Sequence, residues 1–146
     1  MKESFEIVVF TASHSSYANS VIDFLDPKKE IIKKRLFREH CNVTPEGIFV
    51  KDLRIFADRK LENLILVDNA LYSFGYQIEN GVPIIPFYDN KQDKELLSLK
   101  LYLESMRFVK DIREINKKNF KFHLYDKFDN IEELLGKLFE GLDFSI

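Results

Sequence analysis

The chain of 146 residues contains a single cysteine, Cys41. One cysteine excludes an internal disulfide and a zinc site made of several cysteines. The sequence also has no tryptophan, and its five glycines and four prolines form no stretch typical of a flexible linker. We therefore expect one folded domain in a reducing compartment, the nucleus or the cytoplasm.

Long hydrophobic runs and an excess of positive charge are absent as well. The apolar run Ile7–Phe10 is too short for a signal-peptide core and follows Glu3 and Glu6. No stretch approaches the roughly 20 apolar residues of a membrane span. Lys and Arg number 22 against 24 Asp and Glu, so no overall basic field would attract nucleic acid. We expect no membrane and no nucleic acid as partners. The basic and aromatic run 117–122 could suggest a site for single-stranded nucleic acid, but we interpret it as part of a helix or a strand edge, given the acidic balance elsewhere.

The apolar residues that are present alternate between strand and helix patterns. Buried strands are predicted at 5–10, 63–67 and 82–86, the last at a sheet edge because of its prolines. A helix is predicted to begin with Ser15 or Ser16 as its cap and to end at Asp26. Apolar pieces at 36–37 and 48–50 indicate a hairpin-like insertion, and helical spacing follows at 96–106, 109–115 and 131–139.

Strands that alternate with helices at these spacings predict an α/β domain with three layers and a mainly parallel central sheet. We expect residues 1–125 to form this domain and residues 126–146 to form a C-terminal helical extension. The apolar face of the extension, which includes Ile131, Leu134 and Leu138, could cover the sheet or dock a partner.

Polar residues follow two of the predicted strands. Thr11 follows the first, and Asp68 and Asn69 follow the second. Ligands of open α/β sheets bind beyond the carboxyl ends of the strands, where a hydroxyl can bond a phosphoryl oxygen and an Asp-Asn pair can offer oxygen ligands to Mg²⁺. Lys51, at the end of the insertion, can add a positive charge for an anion. Each of these residues taken alone more often forms a turn, a cap or a solvated surface than a site.

Five sequence blocks in a fixed order make a more specific pattern. They are Phe10-Thr11-Ala12-Ser13 with Tyr17, then Leu36-Phe37-Arg38-Glu39-His40-Cys41, Val50-Lys51-Asp52-Leu53, Leu64-Ile65-Leu66-Val67-Asp68-Asn69, and Tyr88-Asp89-Asn90. The set resembles the small carboxy-terminal-domain phosphatases, also called the nuclear LIM interactor-interacting factor family, of the haloacid dehalogenase superfamily. The resemblance extends over residues 5–122.

The resemblance implies a haloacid dehalogenase-like fold and Mg²⁺-dependent hydrolysis of phosphoserine or phosphothreonine in proteins through an aspartyl-phosphate. By position, Thr11 and Lys51 match residues that hold the phosphoryl group. Asn69 matches a magnesium ligand, and Asp68 lies where it can organise both the metal and the lysine. Phosphoryl transfer depends mainly on positioned positive charge around the phosphoryl oxygens, which is consistent with this set.

The same resemblance implies a cleft for a phosphoprotein or phosphopeptide substrate. Arg38 and Tyr17 match positions that line the cleft. His14 is close to Thr11 in the sequence and is expected to border the cleft, although a histidine in such a loop more often has no contact with substrate.

The chain departs from the family at its first motif, an Asp-x-Asp run that supplies the nucleophile, the general acid and most of the metal site. No two of the eleven aspartates are separated by one residue. Neither Cys41, which lacks a Cys-x5-Arg loop, nor His14 or His40 replaces the nucleophile. We therefore expect an N-terminally incomplete fold that is inactive as written, through truncation, a gene-model start at Met1, or loss.

Three interpretations stay open from the sequence. The first is a phosphatase domain without its first motif. The second is a non-catalytic binding module, either a pseudophosphatase or a domain similar to the receptor subunit of the mitochondrial inner-membrane import machinery. The third is a decaying gene product that folds poorly.

Overall fold

The computed structural model describes residues 4–121, and its first half is a βαβ unit followed by a hairpin. Strand β1 (Ile7–Phe10), helix α1 (Ser15–Leu25) and strand β2 (Ile32–Leu36) form the unit, in which the two strands pair in parallel. Strands β3 (Asn42–Val43) and β4 (Phe49–Val50) pair in antiparallel fashion. The hairpin lies where an insertion was predicted.

The second half contains a second parallel strand pair and two helices. Strand β5 (Leu66–Asp68) pairs in parallel with β6 (Gly81–Pro83), and helices α2 (Glu95–Ser105) and α3 (Ile112–Phe120) follow. No helix within residues 4–121 is long and apolar enough to cross a membrane. The predicted helix 131–139 and the extension 126–146 lie outside the described residues.

The α/β class is confirmed, but the described strands do not form one central sheet. Strands β1 and β2 make one two-stranded sheet and β5 and β6 make another, with no ladder between the two pairs. Strand β2 was not predicted, because its Ile-Lys-Lys-Arg-Leu sequence carries three charges in a row. Leu36, which was assigned to the insertion, is the residue of β2 that pairs with Phe10.

Helix α1 begins one residue before the start predicted with Ser15 as its cap, or two before that predicted with Ser16, and it ends where predicted. His14 occupies the N-cap position and makes no side-chain cap hydrogen bond, whereas Ser15 and Ser16 lie inside the helix. At the other end, the buried carboxylate of Asp26 accepts hydrogen bonds from the backbone N–H groups of residues 30, 31 and 32 at 3.0, 3.0 and 2.8 Å. Asp26 thus joins the end of α1 to the start of β2.

The apolar core of the second half surrounds Phe74, which has no exposed surface. Leu53 and Leu66 are buried against it, and Leu64 and Phe120 are among the partly buried residues that pack around this cluster. Gly81 lies so close to the Phe74 ring that a Cβ atom at this position would overlap it. The side-chain amide of Asn80 donates to the carbonyls of residues 61 and 64 at 2.6 and 2.7 Å, so this buried polar group is satisfied.

Candidate functional site

A polar cavity of about 460 Å³ lies beyond the carboxyl ends of β1 and β5. Its lining includes Ala12 from the loop after β1, Lys51 from the end of the hairpin, and Asp68 and Asn69 from the end of β5. Three segments that are far apart in the sequence therefore meet at one site, as expected for ligand sites in α/β folds.

The charges of Lys51 and Asp68 neutralise one another inside this site. Lys51 Nζ donates a hydrogen bond to Asp68 Oδ2, and each side chain is only 10% exposed. The backbone N–H of Lys51 donates to the Ser73 carbonyl at 2.8 Å, and Asp68 Oδ1 accepts from the Ala70 N–H at 2.8 Å. Since an ammonium has three donors, Lys51 retains donors for an anion in the cavity after it has bonded Asp68.

Thr11 lies directly after β1, beside Ala12 of the cavity wall. Its backbone N–H donates to the Leu36 carbonyl at 2.9 Å, which extends the β1–β2 pairing by one hydrogen bond. Its hydroxyl oxygen accepts from the Ser13 N–H at 3.1 Å. The hydroxyl proton remains available, so Thr11 can donate to an anionic oxygen.

Arg38 connects the loop after β1 to the hairpin. Its Nε donates to the Ala12 carbonyl at 2.6 Å, and its guanidinium also donates to His14 Nε2 at 3.0 Å. The guanidinium carbon lies 5.0 Å from the centre of the Phe49 ring, and Phe49 lines the cavity. Within residues 4–121 the structure gives Arg38 no carboxylate partner, so no carboxylate of these residues forms an ion pair with its charge beside the site.

Tyr17 lies on α1, is 67% exposed and is not part of the cavity wall. Phe49 and Tyr72, which do line the cavity, were missed by sequence reasoning. Phe49 carries no polar group and belonged to a short apolar piece of the hairpin, so only its contact with Arg38 indicates a role.

Cys41 contacts the same loop but lacks the features of a nucleophile. Its Sγ lies 3.9 Å from the Thr11 carbonyl oxygen and 3.9 Å from that of Phe37. Burial raises the pKa of the Cys41 thiol, an effect that Lys51 and Arg38 only partly oppose. A protonated thiol is a poor nucleophile, so Cys41 fits a packed structural residue.

The described residues do not by themselves fit a magnesium site. Both carboxylate oxygens of Asp68 are engaged, one by Lys51 and one by the Ala70 N–H, so Asn69 is left as the neutral oxygen donor of the pair. Among residues 4–121 no three His, Cys, Asp or Glu side chains are grouped closely enough to hold a metal ion. Magnesium is normally held by one or two carboxylates together with water and substrate oxygens. In the cavity wall that the described residues form, Asp68 is the one carboxylate, and its charge is already compensated by Lys51.

Comparison with known proteins identifies the relatives of this chain. It is 43% identical over 132 residues to CTD small phosphatase-like protein 3 of Caenorhabditis elegans, an alignment that covers 90% of this chain and 45% of that protein. It is 34% identical over 119 residues to CTD nuclear envelope phosphatase 1B of Danio rerio, covering 82% and 48%. The chain thus spans less than half of each of these relatives. Residues 1–113 match the profile of the NLI interacting factor-like phosphatases, and the chain belongs to this family.

Proposed function

We propose that this chain carries the phosphoryl-binding part of a protein serine/threonine phosphatase site. The observation that carries the proposal is the buried Lys51–Asp68 pair in a cavity at the carboxyl ends of two strands. A lysine that is held in place by a carboxylate offers its remaining donors to a phosphoryl oxygen without first being ordered.

Five of the candidate residues have a part in this proposal. Thr11 and Lys51 hold the phosphoryl oxygens, while Asp68 positions the Lys51 ammonium. Arg38 attracts the phosphate and neighbouring acidic groups of a phosphopeptide, because its charge has no carboxylate partner among the described residues. His14 accepts from Arg38 and so keeps the guanidinium turned towards the loop after β1.

We propose that the chain, taken alone, binds phosphopeptides without hydrolysing them. An aspartyl-phosphate requires a free carboxylate in line with the leaving oxygen, but Asp68 is engaged at both oxygens. Magnesium would supply charge neutralisation at the phosphate if it were bound. Because the described donors do not fit it, the binding step proposed here uses only Thr11, Lys51 and Arg38.

Titration with a phosphothreonine peptide and its unphosphorylated copy tests this function. We expect selective binding of the phosphorylated form and no release of p-nitrophenol from p-nitrophenyl phosphate, with or without Mg²⁺. Lys51→Met should abolish the selectivity. The matched control Lys100→Met removes a half-exposed lysine that lies 3.8 Å from Glu104 on α2 and should leave it unchanged.

Two results would contradict the proposal in different ways. Equal binding of both peptides would show that the cavity does not recognise the phosphoryl group. If the chain hydrolyses the substrate in the presence of Mg²⁺ and Lys51→Met abolishes this activity, the phosphoryl site is supported and the claim of inactivity is wrong. If Lys51→Met fails to fold, Thr11→Val, which removes the hydroxyl that accepts from the Ser13 N–H, provides the second variant for the same comparison.

The non-catalytic alternatives differ in their ligand. A pseudophosphatase would give the expected result above. A domain similar to the mitochondrial import receptor would bind presequence peptides and ignore phosphorylation, so recovery of presequences alone would favour it. We keep the nucleus or the cytoplasm as the proposed location.

A further inference from the structure

The side-chain amide of Gln77 binds the two residues that directly follow Lys51. Its Oε1 accepts from the Leu53 N–H at 2.9 Å, and its Nε2 donates to Asp52 Oδ1 at 3.0 Å. Both ends of the amide are therefore used, one on the backbone and one on a side chain. Gln77 is 24 residues from Leu53 in the sequence and does not line the polar cavity, so any effect it has on the cavity passes through residues 52 and 53.

Both groups that Gln77 binds are shielded from most of the water. Leu53 is 3% exposed and packs against Phe74 in the core, and a buried N–H without an acceptor is strongly unfavourable. The Asp52 side chain is 16% exposed and begins a short helical turn by accepting from the Arg54 N–H at 2.9 Å. The amide thus holds the backbone and the side chain of this turn at once.

Asp52 needs the donating end of the Gln77 amide. The Arg54 guanidinium donates to both carboxylate oxygens of Asp52 at distances between 2.6 and 3.0 Å. These hydrogen bonds, with smaller contributions from the Arg54 N–H and from Gln77, lower the pKa of Asp52 to about 2. An ionised carboxylate only accepts hydrogen bonds, so the amide nitrogen faces Asp52 and the amide oxygen is left for the Leu53 N–H.

The same part of the chain holds the backbone of Lys51 on its other side. The Ser73 carbonyl accepts from the Lys51 N–H at 2.8 Å, and Ser73 is 5% exposed. The backbone N–H of Gln77 donates to the Phe74 carbonyl at 3.0 Å, which connects Gln77 to this turn. Residues 73–77 therefore bind the backbone both at Lys51 and two residues beyond it.

The place of the Lys51 ammonium depends on this backbone. A lysine side chain has a flexible stem of four carbons and loses much rotamer entropy when it is fixed. The Lys51 side chain is nevertheless only 10% exposed and bonded to Asp68. A shift of the supporting backbone by about 1 Å would move the ammonium away from Asp68 and away from a phosphoryl oxygen in the cavity.

We propose that Gln77 is a positioning residue that keeps the Lys51 ammonium at Asp68, where its remaining donors can meet a phosphoryl group. Gln77 itself touches no ligand and acts through Asp52 and the Leu53 N–H. The inference rests on the proposed function for the ligand of Lys51, whereas the place of the ammonium can be measured with no ligand bound.

Peptide binding by variants of the full 146-residue chain tests the proposal. Gln77→Leu removes both hydrogen bonds of the amide. We expect the affinity for the phosphothreonine peptide to fall about three- to tenfold, as for one or two lost hydrogen bonds, and the affinity for the unphosphorylated copy to stay the same. The matched control Gln92→Leu replaces an exposed glutamine outside the cavity wall and should bind both peptides as the parent chain does.

Two further readouts separate positioning from a loss of stability. In ¹⁵N NMR without peptide, Gln77→Leu should move the Lys51 Nζ resonance towards those of exposed lysines, while the Lys100 resonance stays in place. In a double-mutant cycle, Gln77→Leu should have no further effect on phosphopeptide affinity in the Lys51→Met background, because its effect passes through Lys51.

A reversed pair of side chains provides the rescue. Gln77→Glu places a carboxylate against Asp52 and should weaken phosphopeptide binding, because like charges repel. Adding Asp52→Asn offers an amide donor to the new carboxylate, so both hydrogen bonds can form again with donor and acceptor exchanged. The double variant should recover most of the lost affinity. Should Gln77→Leu fail to fold, Gln77→Glu and its rescue give the same comparison.

Some results would overturn the proposal. A lower urea midpoint of Gln77→Leu with unchanged selectivity and an unchanged Lys51 Nζ resonance would make Gln77 a purely structural residue. Equal loss of affinity for both peptides would also reject the positioning of Lys51. Failure of the proposed function has a different signature, since the parent chain would then lack phosphopeptide selectivity, and a displaced Lys51 resonance in Gln77→Leu would still support the positioning.

Discussion

Lys51 and Asp68 form an ion pair in which each side chain is 10% exposed, and the pair joins the hairpin to the end of β5. Because both charges are removed from most of the surrounding water, each depends on the other for compensation. The pair therefore affects stability as well as phosphate binding, and the two effects can be measured separately.

Replacement of Asp68 by asparagine should lower the free energy of unfolding. The change leaves the Lys51 ammonium without its carboxylate in a largely buried position, which typically costs about 3–5 kcal/mol. Urea denaturation followed by circular dichroism measures the loss. The control Asp58→Asn removes a carboxylate that is 72% exposed and should shift the free energy by less than about 0.5 kcal/mol. Equal effects of the two variants would show that the buried pair has no special role.

Replacement of Arg38 by glutamine should weaken phosphopeptide binding roughly tenfold, because a charge-assisted hydrogen bond to phosphate is lost. Fluorescence anisotropy measures the affinity. Arg107, whose guanidinium lies 5.2 Å from the centre of the Phe108 ring, offers a matched arginine–aromatic contact away from the cavity. Arg107→Gln should bind as tightly as the parent chain, and a similar loss in both variants would indicate a nonspecific charge effect.

Asp26 should make stability depend on pH in the acid range. Backbone N–H donation, most of all from Ile32, lowers the pKa of Asp26 below its usual value of 3.8. A depressed carboxyl pKa stabilises the fold above the unfolded pKa of about 4, and this contribution disappears as the pH falls through the folded pKa. Urea midpoints measured from about pH 6 down to about pH 2 should fall steeply at the acid end. Asp26→Asn should flatten this dependence, and an unchanged slope would contradict the assignment.

Replacement of Gly81 by alanine should destabilise the second half of the domain. The added Cβ would overlap the ring of Phe74, which is fully buried, and overpacking of this kind costs about 1–3 kcal/mol. A double-mutant cycle with Phe74→Leu provides the control, since the smaller side chain should relieve part of the overlap. Additive effects would show that the two residues do not interact in this way.

Removal of divalent cations should leave phosphopeptide binding unchanged. Asp68 is committed to Lys51 and to the Ala70 N–H, so the described donors offer magnesium no free carboxylate. Titrations with EDTA and with excess Mg²⁺ should give the same dissociation constant within about twofold. A clear gain of affinity with Mg²⁺ would mean that Asn69 and Asp68 do bind the metal when phosphate is present.

Local sequence patterns were sufficient for several elements and for the polar residues that directly follow β1 and β5. Three such patterns are short-range features that can be recognised without knowing the fold. They are the β-branched and apolar run of β1, the helical spacing of α1, and the polar residues after β1 and β5. Strand β2 was hidden because its three consecutive charged residues obscure the alternation that indicates a strand. Helix α2 was predicted, but Leu96 is 71% exposed, since burial depends on what packs against the helix rather than on its periodicity.

By itself, the sequence determined the α/β class, the family blocks, and the absence of two aspartates one residue apart. Only the tertiary structure decided that Lys51 pairs with Asp68, that Arg38 bonds Ala12 and His14, and that residues of β1 and β5 line one cavity. The physical reason is that ion pairing, desolvation and strand-edge pairing depend on distances between residues remote in the chain, which no local pattern contains.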